Sequence, residues 1–205
     1  MRRGAGFTLT ELLVVIVLFA TLGAVLLTVL LNGQTAYFSG DASLQVQQEA
    51  RKAFDIMIRE LREAGPPALM STTPNVPVGT ALRQLNFQIA REYNNPVSCP
   101  NAICWGSEVQ VGDWIHYAVV VNNALPANNN QQLVRCVNQG VNAAIADGAG
   151  CRVLANNVQT ADFVYPAGIA GVVQVTLQVR YNNPKLPQGS QATNALTTLV
   201  RLRNS

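Results

Sequence analysis

Gly6-Phe7-Thr8-Leu9-Thr10-Glu11 runs without interruption into LLVVIVLFATLGAVLLTVLL, residues 12–31. The second part carries no charge, and only threonine and glycine break its apolar run. About twenty residues rising ~1.5 Å each cover the ~30 Å hydrocarbon layer of a bilayer. A helix apolar on every side belongs in lipid or in a deep core. Upstream, MRRGAG is short and basic, with Arg2 and Arg3. The positive-inside rule then keeps the start of the chain in the cytoplasm and exports the remainder. An ordinary secretory signal has a shorter apolar core with a small-residue cleavage site after it. Here the unusual chemistry stands before the core. Glu11 is a lone carboxylate at its entrance, a costly place for a charge without a partner. The competing use of Arg2-Arg3 is twin-arginine export, but the leader has no polar stretch beyond the pair.

Working outward, the helix pattern resumes past residue 40. Val46, Ala50, Ala53, Phe54, Met57, Ile58, Leu61 and Ala64 recur at steps of three and four, one buried helical face. Arg51, Lys52, Asp55, Arg59, Glu60, Arg62 and Glu63 fill the opposite side, with Asp55 and Arg59 at pairing distance along a helix. Gly65-Pro66-Pro67 ends the pattern. Residues 32–40, with Gly33 and Gly40, are the weak section, where a bend or a melted turn is expected. The whole predicts one long helix, its first half in membrane and its second half packed on a domain. A free coiled-coil stalk needs more heptads than this segment holds.

Beyond a Pro/Thr/Asn-rich stretch at 71–79, β-type runs predict strands over 84–90, 114–121, 132–137, 158–165, 172–181 and 195–203, parted by Gly, Pro and Asn clusters. Successive strands without helices between them predict an antiparallel sheet. One face takes the helix, and the other meets solvent or a partner. The fold class is therefore α+β. Its parts are a leader at 1–6, a transmembrane helix at 7–31, an amphipathic continuation at 32–65 and a β-rich head at 66–205.

Composition narrows the function. Charged residues make up 12% of the chain and hydrophobic ones 49%, against roughly 25% charged in ordinary globular proteins. A net charge of +3 is too weak to argue for nucleic acid by itself. One histidine, His116, makes a histidine metal site or a Ser/His/Asp triad hard to build, and reads as a packed strand residue. Cys99, Cys104, Cys136 and Cys151 contain no Cys-x-x-Cys pair, and an even count in an exported domain reads as two disulfides. Of three pairings, the most local is preferred: Cys99 with Cys104 and Cys136 with Cys151. A four-thiolate metal site is the alternative, against which the spacings speak.

Glu92, Glu108, Asp113, Asp147 and Asp162 form no recognisable catalytic spacing and read as solvated surface charge. Asp147-Gly148-Ala149-Gly150 lacks the carboxylates of a calcium loop and the lysine of a phosphate loop, so it reads as a turn. No enzyme activity, metal or cofactor is expected. The rival readings are a periplasmic enzyme or binding domain on an anchor, and a nucleic-acid-binding head using Arg180, Lys185, Arg201 and Arg203. Aromatic residues between those cations are sparse.

Residues 6–14, GFTLTELLV, resemble the N-methylation motif of type IV prepilins and pseudopilins. The resemblance implies that a prepilin peptidase cuts after Gly6 and methylates the new amine of Phe7. It also implies that Glu11 sets assembly and register. The chemistry agrees: a mature Phe7 amine is a cation, and Glu11 is an anion one helical turn away, favoured near a helix N-terminus. Pairing with a neighbour's amine lowers the cost of holding both in an apolar bundle. Residues 51–65, RKAFDIMIRELREAG, and the ending LVRLRN at 199–204 are similar to PilW-like minor pilins and to pseudopilin J of type II secretion. Many major pilins carry a proline in the membrane helix, and none stands between Phe7 and Gly65 here. The implied function is a minor pilin or pseudopilin, a structural and assembly subunit and not an enzyme. Implied partners are other pilins or pseudopilins, the prepilin peptidase, an inner-membrane assembly platform and membrane lipid. The implied location is the inner membrane, crossed once, before assembly, and a periplasmic or extracellular filament after it.

Overall fold

A computed structural model describes residues 8–65, 84–95, 97, 99–138, 140, 145, 151–166, 169, 171–184 and 191–203. The leader 1–6, Phe7, the 71–79 stretch, the Asp147–Gly150 turn and Lys185 lie outside the described residues.

Helix α1 runs from Leu9 to Glu63, 55 residues without a break. At ~1.5 Å per residue it is about 80 Å long. Thr8 caps its start, and Ala64, in extended conformation, ends it. The expected melted turn at 32–40 is absent: every residue there is helical. Two hydroxyls of this region bond within the helix, Thr35 Oγ1 to the Leu31 carbonyl at 3.1 Å and Ser39 Oγ to the Ala36 carbonyl at 2.9 Å. Two glycines cost about 1 kcal/mol each relative to alanine. That is too little to open a helix that continues into an apolar segment on one side and packs on a domain on the other.

The buried face of α1 is Ala42, Val46, Ala50, Ala53, Met57 and Leu61. Alanine at three of these positions lets strands approach the helix closely. Burial of Val46, Met57 and Leu61 contributes about 1.5–3 kcal/mol each.

Among the described residues nine strands follow: β1 (Gln84–Phe87), β2 (Ile89–Asn95), β3 (Cys99–Gly106), β4 (Trp114–Val121), β5 (Gln131–Asn138), β6 (Arg152–Asn156), β7 (Val158–Val164), β8 (Val172–Asn182) and β9 (Gln191–Arg201). They pair antiparallel throughout, in a four-stranded sheet β1-β4-β5-β6, a hairpin β2-β3 and a three-stranded sheet β7-β8-β9. The larger sheets are joined through Asn157, whose φ of 58° turns β6 out of one sheet and into the other as β7. Asparagine tolerates that left-handed conformation better than most residues.

The alternation of β8 is as the sequence predicts, with Val173, Val175, Leu177 and Val179 buried. They share one core with the helix face, with Ile115 and Tyr117 of β4, and with Phe163 of β7. Tyr117 sits between Phe87 and Phe163, at centroid distances of 5.2 and 6.2 Å. The opposite face of the four-stranded sheet, expected to meet solvent or a partner, is covered in part by the chain itself. Ala118, Val120, Val134 and Cys136 are buried there under Ile145 and Cys151. Both preferred disulfides are present, Cys99–Cys104 and Cys136–Cys151. The second holds this cover onto β5.

Two backbone bonds lock the upper end of the helix to the head: Gly65 N–H donates to the Gln88 carbonyl at 2.9 Å, and Arg203 N–H to the Arg62 carbonyl at 3.0 Å. Within the head, Leu202 N–H donates to the Gly171 carbonyl at 2.8 Å. At the lower end, Asn183 Nδ2 donates to the Phe38 carbonyl at 3.4 Å. From Phe38 to Arg62 the helix rises about 36 Å, and an eleven-residue strand spans much the same length. Strand β9 therefore lies along α1 and runs in its direction.

Candidate assembly site

The first described turn of α1 is a capping box. Glu11 N–H donates to Thr8 Oγ1 at 3.3 Å, and Thr8 N–H donates to Glu11 Oε2 at 3.0 Å. Thr8 Oγ1 also donates to the same carboxylate oxygen at 2.9 Å. The two bonds from backbone N–H each satisfy a group that helix geometry leaves without an internal partner. The carboxylate thus lies over the helix N-terminus. Gly6 and Phe7, the expected cleavage and methylation positions, lie outside the described residues.

From Leu12 to Leu31 the helix packs against nothing of its own chain among the described residues. Leu12, Val17, Phe19, Leu22, Leu26 and Leu30 are all more than half exposed. The segment is long and apolar enough to cross a membrane. Its threonines add little polarity, because Thr21 Oγ1 donates to the Leu18 carbonyl and Thr28 Oγ1 to the Ala24 carbonyl, both at 2.9 Å. A hydroxyl already bonded inside its helix enters lipid, or a bundle of helices, without an unmet donor.

The other half of α1 is fastened to the head by charge, which the sequence reading missed. Arg135 on β5 donates from Nε to Glu60 Oε2 at 2.8 Å and from Nη1 to Glu108 Oε1 at 2.7 Å. Its Nη2 also meets Glu108 Oε2, completing a forked pair. Tyr117 Oη donates to Glu60 Oε2 at 2.6 Å. Glu108 is expected from sequence as solvated surface charge, and Glu60 as a residue outside the apolar stripe of the helix. Glu60 is largely covered, Arg135 is buried, and Glu108 is half exposed. The signal available was Arg135 itself, a cation in the middle of the apolar run LVRCV.

The Arg135 guanidinium holds the Glu108 carboxyl below the usual carboxylate range. Burial, reinforced by the Glu60 charge, pushes the Tyr117 hydroxyl well up. A second polar tie joins Glu49 of the helix to Asn156 of β6, whose N–H donates to Glu49 Oε2 at 3.2 Å.

The remaining sequence candidates are dispersed. Asp113, expected at the surface, is buried, with Ser107 Oγ donating to it at 3.4 Å. Ser107 follows Gly106, where a Cβ would stand 2.4 Å from the Gln110 carbonyl oxygen, so this turn requires glycine. Glu92 is exposed and Asp162 is half-buried. His116 is fully buried on β4, with Nδ1 at 2.7 Å from Asn86 Oδ1. Among the described residues no group of three or more His, Cys, Asp or Glu side chains is placed to share a metal ion.

A family model described as the prokaryotic N-terminal methylation motif matches residues 1–27. No curated protein and no solved structure matches the chain. The motif supports a type IV pilin-like protein, with the general partners of that class: other pilins and the prepilin peptidase. It is also consistent, together with the apolar helix, with membrane anchoring before assembly.

Proposed function

We propose that this chain is a minor pilin or pseudopilin, a structural subunit cut after Gly6, methylated on Phe7 and packed into a filament through α1. Its role is assembly and not catalysis. The observation that carries the reading is the join at Glu11: a carboxylate over a helix start, directly followed by an apolar helix surface that its own chain leaves uncovered. In the membrane that surface meets lipid, and in a filament it meets the helices of other subunits. Glu11 then pairs with the Phe7 amine of a neighbour and sets register more than net stability. The head, welded to α1 at Glu60 and Arg135, moves with the helix as one body.

Glutamine separates the two roles open to Glu11. A capping box accepts glutamine as well as glutamate. Glu11→Gln therefore keeps the cap and removes the charge, whereas Glu11→Ala removes both. Leaving an amine unpaired in an apolar bundle costs about 3–5 kcal/mol, a loss of a few hundredfold or more in association. Both variants are expected to be cleaved normally, to accumulate in the membrane fraction and to be missing from sheared filaments or cross-linked subunit complexes. Normal incorporation of Glu11→Gln would reduce Glu11 to a helix cap.

A further inference from the structure

Strand β9, which lies along α1, is the last strand of its sheet among the described residues. Among the described residues it pairs on one side only, with β8, through eleven register positions without a bulge. Natural edge strands are commonly protected by charge, proline, a bulge or shortness. Residues 191–200, QATNALTTLV, contain neither a charge nor a proline. At eleven residues the strand is about twice the common length. Every second residue of such an edge aims its N–H and C=O away from the sheet.

A separate feature stands at the upper end of this edge. The bond from Arg203 N–H to the Arg62 carbonyl joins the last turn of α1 to the chain just past β9. It brings Arg59 and Arg62 beside Arg201 and Arg203, around a groove of about 500 Å³ that Leu202 and Glu63 complete. All four arginines are exposed. Four cations against one carboxylate leave the groove positive.

We propose that the β9 edge takes an extended segment of another filament subunit by strand addition, and that carboxylates of this segment sit in the arginine groove. Main-chain bonds supply affinity in such pairing, and the groove supplies selection. The direction follows from the fold. Strand β9 runs upward along α1, so an antiparallel segment, the slightly stronger pairing, places its N-terminal end at the arginines. Membrane headgroups do not fit, because from Leu31 to Arg59 the helix rises about 42 Å. Nucleic acid fits poorly, since no aromatic ring lines the groove for base stacking.

The inference rests on the assembly reading only for the identity of the partner as a subunit. Its test needs no filament, so either can fail while the other stands. The full chain in detergent micelles is titrated with peptides of about ten alternating Thr and Val residues. One peptide carries a pair of aspartates at its N-terminal end, one carries them at its C-terminal end, and one carries lysines at its N-terminal end. A single-stranded oligonucleotide is the fourth probe. The N-terminally acidic peptide is expected to bind about tenfold more tightly than the lysine peptide, the scale of two exposed charge pairs. Binding should slow amide hydrogen exchange along β9. The Arg201→Glu, Arg203→Glu double variant should reverse the preference, and its circular dichroism should match the parent because both side chains are exposed. Equal binding of acidic and basic peptides, preference for the C-terminally acidic one, or binding of the oligonucleotide in place of the peptide would each overturn the proposal.

Discussion

Glu11 has one carboxylate and two claims on it. Within its own chain it accepts from Thr8, and in the proposed assembly a neighbour's amine would compete for the same charge. The two are compatible, since both bonds from Thr8 use Oε2 and a carboxylate offers about four lone-pair sites. His116 is the other residue whose environment has a measurable consequence. Burial lowers its pKa below the usual histidine value, with the Asn138 side chain pulling the other way. The folded state thus prefers neutral His116. Between the folded value and about 6.5, the unfolded chain binds more protons, so stability rises with pH across that window. The contribution is complete above about pH 6.5 and is lost as pH falls below it. Urea unfolding midpoints of the full chain should fall between pH 7.5 and 5.5, and His116→Gln should flatten that slope. An unchanged slope in the variant would assign the pH dependence elsewhere. Glu108 acts further into acid, because Arg135 lowers its pKa: its contribution is held above the ordinary carboxylate range and lost as pH falls through the depressed value.

At the level of elements, the weld between α1 and the sheet decides whether helix and head move together. Removing one partner of a buried pair leaves the other charge uncompensated, which costs about 3–5 kcal/mol. Replacing both by apolar residues of similar size is often neutral. Glu60→Ala leaves Arg135 its fork to Glu108 and strands the Tyr117 hydroxyl, so it should lower stability by about 1–3 kcal/mol, while the Glu60→Leu, Arg135→Met pair should lose less than Arg135→Met alone, which strands the Glu60 carboxylate. Denaturant unfolding followed by circular dichroism checks this. A loss below about 1 kcal/mol for Glu60→Ala would make the contact no better than a surface pair. The strands legible in the sequence are those whose alternation or apolar runs are long, such as β4 and β8. The β2–β3 pairing and β6 were missed, because polar residues, Pro100 and short length hide their period. The weld was missed for a different reason: helical spacing tells which residues face away from an apolar stripe, but not that a tyrosine and an arginine of β4 and β5 reach them. The continuity of α1 through Gly33 and Gly40 was likewise hidden, since propensity counts the local cost and omits what holds both ends.

Taken whole, the molecule is an apolar rod half clothed by a head. Among the described residues the N-terminal, apolar half of α1 has no partner in its own chain, and the other half is a structural member of the head core. The motif at residues 1–27 and the rod were both legible in sequence, because they depend on local order and composition. The arginine groove was not, because its members lie about 140 residues apart along the chain and meet only through the fold. The central claim is that this rod begins at a processed Phe7 and is built into a filament. Intact and peptide mass spectrometry of sheared filaments and of the membrane fraction, from the strain that makes the chain, tests it most directly. The account predicts, in both fractions, a chain that starts at Phe7 and carries one added methyl group on its amine. A mature chain that starts at Met1, or one cut after Ala20 as by an ordinary signal peptidase, would contradict it.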